Sequence, residues 1–300
     1  MTSTGTTEPR RKKWRRYQTE LFAASPLTYV TMIAAIALSI FPLYFMLVVA
    51  TRTNDAVATI PPPLTLGGEL FDNINRLLNN EAAYFLTGMT NTAISSAIVT
   101  LSVIFTSTLA GFAFAKLKFK GRNAAMMFVL ITTMVPAQLG VIPLLIMMSG
   151  VPEWMGGPWT GTLPAVIVPF LVSAFGVFMM RQYVSQSVPD ELIEAARVDG
   201  CNTIRIYWNV VLPALRPAIA VLGLFAFMAQ WNEFFWASVV MGDPANPTVQ
   251  VSLQHLSSGY YNDYTQVFAG TLLSVLPLFV VFILFGRQLI GGIMEGAIKA

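Results

Sequence analysis

The amino-acid sequence predicts an all-α polytopic membrane protein with six transmembrane helices, and three observations predict it. The first is composition. The 300 residues are 55% hydrophobic and 11% charged, with a mean hydropathy of +0.63, whereas ordinary soluble domains carry roughly 25% charged residues. The second is run length. A hydrocarbon core of about 30 Å needs roughly 20 consecutive apolar helical residues, and six segments supply them with a single formal charge among all six, Glu233. The third is the placement of basic residues. Sixteen of the eighteen Lys and Arg fall on one side of a six-span topology and only Arg52 and Arg76 on the other, the asymmetry that marks a cytoplasmic face. Other classes fail on the same numbers. Apolar content is too high for disorder, and one cysteine cannot build a disulfide scaffold. A β-barrel would alternate over ten-residue segments, and these runs are continuously apolar. The net charge of +3 marks a membrane face and implies no nucleic acid.

Residues 1–27 are polar and basic, and Arg10, Arg11, Lys12, Lys13, Arg15 and Arg16 anchor the N-terminus in the cytoplasm. A transmembrane domain follows over 28–285. Its first span, 28–50, exceeds the roughly 7–15 apolar residues of a signal-peptide core and lacks a cleavage site, so it is a true span. The outer segment 51–83 carries Pro61-Pro62-Pro63 and a short surface helix over Leu70–Leu78. Spans two (84–115) and three (124–148) are joined by a turn with Lys116, Lys118, Lys120 and Arg122. Span four (160–180) leads into a long inner loop, 181–216, then span five (217–241), a third outer loop (242–266) and span six (267–285). Residues 286–300 form a cytoplasmic tail. Pro42, Pro136, Pro143, Pro164, Pro169 and Pro277 lie inside spans. Each removes a backbone donor and kinks its helix, which lipid tolerates only where a neighbour satisfies the freed carbonyl. Small residues in span two, among them Ser95, Ser96, Ser107 and Gly111, permit close helix contacts.

The patterns that hydrolytic, metal and nucleotide chemistry need do not occur. His255 and Cys201 fall in different compartments and cannot share a site. There is no phosphate loop and no nucleophile elbow, so the chain reads as a non-enzyme. Glu233 stands within Trp231-Asn232-Glu233-Phe234 of span five. A carboxylate at depth costs about 2.5–3.5 kcal/mol on insertion scales and faces the bundle interior or a wet cavity. It either lines a translocation path or centres hydrogen bonds with Asn232 and span-two hydroxyls; the sequence leaves both open.

The inner loop is patterned. Asp190 and Glu191 open a helix after Pro189, complementing its positive end. Leu192, Ala195, Ala196 and Val198 are expected on one broad side, where the alanines leave room for another protein. Gly200 suits the helix end, and a second short helix spans 203–211 before Pro213. A free interfacial helix pair is the simpler alternative.

Glu194-Ala195-Ala196, then Gly200, Val210 and Leu212-Pro213 resemble the Glu-Ala-Ala loop of permease subunits of binding-protein-dependent ABC importers. Val210 stands where the family has isoleucine, and Cys201 where alanine is common. Trp231-Asn232-Glu233-Phe234, Ala110-Gly111-Phe112-Ala113-Phe114-Ala115-Lys116 and the tail from Gly291 to Lys299 are similar to the carbohydrate-type permeases, among them the six-span second membrane subunit of maltose transporters. The resemblance covers residues 28–300. It implies a chain in the inner cell membrane that forms half of a path for a mono- or oligosaccharide. The other half is a second permease, most simply in a heterodimer. Two ATPase subunits would carry ATP and magnesium, this chain binding no cofactor, and an extracytoplasmic solute-binding protein would deliver the sugar. It further implies ATPase coupling through Glu194, Ala195, Ala196, Gly200, Leu212 and Pro213, a substrate path at Trp231, Asn232 and Glu233, and binding-protein contact at His255, Tyr260 and Tyr261. A secondary transporter or channel working without an ATPase is the competing function.

Overall fold

The computed structural model describes residues 25–257 and 263–298, with side chains through residue 286. In chain order its helices are α1 (Pro26–Ala50), α2 (Asn54–Val57), α3 (Leu70–Leu78), α4 (Phe85–Lys116), α5 (Arg122–Met134), α6 (Val141–Ser149), α7 (Leu163–Ile167), α8 (Ala174–Ser187), α9 (Asp190–Val198), α10 (Thr203–Ile206), α11 (Leu212–Ala214), α12 (Arg216–Trp231), α13 (Phe235–Val240), α14 (Val249–Ser257) and α15 (Tyr264–Ile298). Five stretches are long and apolar enough to cross a membrane: α1, α4, Leu163–Ser187, Arg216–Val240 and the first part of α15 to Gly286. α5 and Ala137–Ser149 pass the same test only as a pair bent by 91°. Counted as one broken crossing, they bring the number to six.

The breaks follow the backbone chemistry. Pro136 forces Val135 into extended geometry, φ −81° and ψ 119°, because a residue before proline avoids the helical region. Span four breaks after the Val168–Phe170 turn, which holds Pro169, and span five breaks at Asn232, between α12 and α13. Pro42 and Pro277, by contrast, sit inside uninterrupted helices. The last helix continues to Ile298, through most of the segment expected as a tail.

The bundle is organised around α4, which packs on α8, α12 and α14, while α15 holds α1, α3 and α12. The α4–α8 contact is close because position 111 has no side chain. A Cβ there would stand 2.6 Å from Met180 Cβ and 2.8 Å from the Arg181 amide nitrogen. Around it Val99, Val103, Phe112, Met180, Val184 and Leu222 form the core.

Leu70–Leu78 is a helix as expected, but it does not merely lie on the surface: Leu77 is buried against α14 and α15 residues. Arg52 and Arg76, the two bases expected away from the basic face, are both structural. Arg52 Nη2 donates to the Thr65 carbonyl at 2.8 Å, pinning the proline loop. Arg76 pairs with Asp263 at 2.8 Å and donates to Thr265 at 3.1 Å, tying α3 to the head of α15. Burial alone would push the Asp263 carboxyl up, but hydrogen bonds from Thr265 and Gln266 and the Arg76 charge together hold it below the usual carboxylate range.

Candidate functional site

Spans four and five are broken side by side; the break in span four is satisfied by side chains from span five and α4, and that in span five by its own Asn232 and Glu233. Pro169 has no amide to give to the Ala165 carbonyl one turn back; the Trp236 indole donates to it instead, at 2.8 Å. Gln230 Nε2 donates to the Val166 carbonyl at 3.0 Å, and Ser102 of α4 to the Leu171 carbonyl at 2.8 Å. In a medium without water these bonds are what permit non-helical backbone at depth. On the far side of each break a helix restarts on a side-chain cap. Ser173 Oγ accepts the Gly176 amide at 3.0 Å, and Glu233 Oε1 accepts the Trp236 amide at 2.7 Å.

Between α4 and the two breaks lies a cavity of about 420 Å³. Phe170, Ser173, Phe175, Phe225, Gln230 and Glu233 are among the residues lining it. Of the three residues grouped by sequence as a path, only Glu233 reaches it. Trp231 is a correction: it is buried at 2% exposure, donates to the Ser274 carbonyl at 3.0 Å and stacks on Phe227 with ring centroids 5.4 Å apart. It locks α12 to α15, because a broad indole on the inward side of a helix fills the interhelical space. Asn232 is exposed and its side chain closes the end of α12, donating to the Met228 carbonyl at 2.8 Å. The hydroxyls of α4 do not bond to Glu233, contrary to the hydrogen-bond centre weighed from sequence; its partner is the Trp236 amide. Phe170, Ser173 and Phe175 carry no local signal, since only the span-four break brings them to the cavity.

In the loop 181–216, α9 and α10 form the helix pair. α9 ends in a Schellman turn: the Gly200 amide bonds to Arg197 O at 3.0 Å and the Cys201 amide to Ala196 O at 2.9 Å, with Gly200 at φ +80°. Asn202 then caps α10, accepting the Arg205 amide at 2.8 Å. The second helix does not run evenly over 203–211. It widens to a π turn over Tyr207–Val211, where Pro213 lacks the amide an α register would use. Leu212 is half-buried and Pro213 exposed at its end.

The pair is bolted to the bundle along one side. Tyr207 hydroxyl and Thr108 Oγ1 are 2.8 Å apart in the core, and the Tyr207 ring lies 5.9 Å from Phe112. Ile193 and Ala196 are buried. Ala196 therefore does not share the face expected for it: Leu192, Ala195 and Val198 are exposed with Glu191 and Glu194, and Ala196 turns inward beside Ile193. The helix repeat puts 193 and 196 on the stripe that meets the bundle.

Lys116, at the end of α4, reaches Asp190 at 2.6 Å. The Lys116 hydrogen bond and charge hold the Asp190 carboxyl below the usual carboxylate range. A depressed carboxyl contributes its stability fully above its unfolded pKa, about 3.9, and loses it as pH falls through the folded value. Amide-exchange protection of α9 in wild-type protein is expected to be flat between about pH 5 and 8 and to drop in stronger acid, and Asp190→Asn should remove that acid step. Coincident profiles for the two proteins would show that the pair does not seat α9.

The loop 242–266 carries α14, where half-buried His255 lines a second cavity with Asn80, Asp263 and Gln266. Tyr260 and Tyr261 lie outside the described residues.

Comparison with known proteins agrees with this architecture. Residues 107–289 match the family model described as "Binding-protein-dependent transport system inner membrane component". Among curated relatives, the arabinooligosaccharides transport system permease protein AraQ of Halalkalibacterium halodurans is 31% identical over 87% of this chain and 92% of its own length. The sn-glycerol-3-phosphate transport system permease protein UgpE of Yersinia enterocolitica is 28% identical over 89% and 95%. The lactose transport system permease protein LacG of Rhizobium radiobacter is 31% identical over 90% and 95%. The fold is shared with a chain of a bacterial ABC transporter involved in the import of the acidic polysaccharide alginate, at TM-score 0.73 and 21% identity over 94% of this chain and 99% of that one. From the loop pattern through the broken-span bundle to these matches, the chain belongs to the family of binding-protein-dependent transport system inner membrane components.

Proposed function

We propose that the chain is one of two permease subunits of an ATP-driven saccharide importer. It lines half of the path and receives the stroke of a separate ATPase through α9. The observation that carries this is the two-sidedness of α9. One side is fixed to the core through Ile193, Ala196 and the Lys116–Asp190 pair; the other presents Glu191, Leu192, Glu194, Ala195 and Val198 to whatever lies below. A helix rigidly mounted on the bundle and bare outward can pass a push into α4 and α8. The names of the relatives support saccharide or related cargo. The basic-residue asymmetry supports cytoplasmic termini, and α14 with His255 is the outer element offered to a solute-binding protein.

Site-specific crosslinking in the assembled transporter tests this. In a Cys201→Ser background, Ala195→Cys and Val198→Cys are expected to crosslink to the ATPase subunit, and Ala196→Cys to remain unreacted. Equal crosslinking at all three, or none at the exposed pair, would sink the docking assignment.

A further inference from the structure

We propose that the mid-membrane cavity selects for neutral, polyhydroxylated cargo and rejects anionic sugars, and that Glu233 is the residue setting this selection. The proposal rests on the cavity belonging to the transport path. Among the described residues, Glu233 is the one charged residue in the lining, and no Lys or Arg lies there. The nearest base along α8 is Arg181, about 9 Å of helix rise below Phe175. In either protonation state of Glu233 the lining offers no positive charge. When the residue is ionised, it presents a negative one in a low-dielectric setting, where charge is felt strongly.

The hydrogen-bonding inventory points the same way. Gln230 spends one Nε2 hydrogen on the Val166 carbonyl at 3.0 Å, which fixes the amide orientation and leaves its oxygen as an acceptor and its second N–H as a donor. Glu233 spends Oε1 on the Trp236 amide at 2.7 Å; Oε2 accepts no further bond among the described residues. Ser173 Oγ accepts the Gly176 amide at 3.0 Å and retains one hydroxyl proton. The polar side chains of the lining thus keep two neutral donors beside the Gln230 and Glu233 oxygens, and each is held in place by its own bond to backbone. Hydroxyl groups both donate and accept and match such a set. A carboxylate or phosphate needs donors or cations and would find no cation in this lining, only two neutral side-chain donors, the Ser173 hydroxyl proton and the second Gln230 N–H. Around these groups, Phe170, Phe175 and Phe225 supply the apolar faces on which the C–H faces of a sugar ring rest. A site that pairs hydroxyls and opposes anions discriminates by repulsion as well as by attraction.

The field in the cavity can be read without knowing the cargo. Cys201 is the sole native cysteine, so Cys201→Ser gives a clean background, and Ala229, exposed on the lining, is the reporter as Ala229→Cys. In membrane vesicles containing the complete transporter, a trimethylammonium-bearing methanethiosulfonate is expected to modify Ala229→Cys at least about tenfold faster than its sulfonate-bearing counterpart, after normalising to a free thiol in solution. Adding Glu233→Gln should narrow that ratio at least about threefold, since the amide keeps the shape and loses the charge. Equal or faster labelling by the sulfonate would overturn the anion-rejecting cavity, and a ratio untouched by Glu233→Gln would overturn the role of Glu233. Faster uptake of a uronate or phosphorylated sugar than of a neutral one by the wild-type transporter would also overturn it. Labelling needs no ATP, so failure here is distinguishable from failure of α9 to crosslink to an ATPase, which bears on the importer reading alone.

Discussion

Replacing Gly200 by valine, or Glu194 by alanine, is expected to cut ATP-coupled uptake at least about tenfold while the chain still inserts and assembles. The two substitutions act by different physics. Gly200 sits at φ +80° with nothing within 4 Å of the position a Cβ would take. Packing is therefore indifferent to a side chain there, and the whole effect is conformational. A left-handed L-residue costs roughly 1–2 kcal/mol, and a β-branched one is a true outlier. Relief of that strain would come from opening the Schellman turn, which re-aims α9 against α10 while leaving the membrane bundle untouched. Gly200→Ala should give an intermediate loss. Glu194 is exposed, and no hydrogen bond to it occurs among the described residues. Its removal should change stability by no more than about 0.5 kcal/mol, so a transport defect would report contact with another protein. Thermal stability of the purified chain, uptake and co-purification of the ATPase, measured on the same preparations, separate these outcomes. Full uptake by both variants in normally assembled transporters would remove α9 from the coupling path.

Gly111→Leu is expected to be severely damaging to the fold, with a loss of more than about 3 kcal/mol and little assembled protein. The atoms a Cβ would meet at 2.6 and 2.8 Å are Met180 Cβ and the Arg181 amide nitrogen, which belong to or adjoin the α8 backbone and cannot rotate away. α8 would have to move from α4 as a body. That movement would open the contact to which the π turn after α10 is bolted through Tyr207, Thr108 and Phe112, and with it the seat of the α9–α10 pair, so transport should fail even in the fraction that assembles. Gly111→Ala meets the same backbone with less bulk and should be milder. Leu101→Ala, on the same helix at 68% exposure, is the control and should stay within about 0.5 kcal/mol. A thermal midpoint for Gly111→Leu equal to that of Leu101→Ala would contradict the close approach.

Much of the fold is legible in the sequence because bilayer thickness dictates it. Helix α4 falls within a residue of the span expected from its apolar run, and Leu70–Leu78 is a helix between the expected residues. Pro136 and Pro169 mark real breaks. The helix-ending role of Gly200 was readable for a similar reason: a left-handed turn is a property of one residue and its neighbours. The 91° bend in the third crossing was not readable, because proline states that an amide is missing without stating how far the chain then turns. Which groups repair the breaks was also hidden. Trp236 to Ala165 and Gln230 to Val166 join residues 71 and 64 positions apart.

The sequence by itself determined that this chain crosses a membrane about six times, which side is basic, and which loop carries the family pattern. Run length, charge and spacing are local quantities. Only the tertiary structure decided direction: that Ala195 faces out while Ala196 faces in, that Trp231 locks two helices while Glu233 lines a cavity, and that Arg52 pins the proline loop while Arg76 ties α3 to α15. Adjacent helical positions differ by about 100° around the axis. Two neighbouring alanines or two motif residues are therefore equivalent in composition and opposite in environment until a second helix supplies an inside.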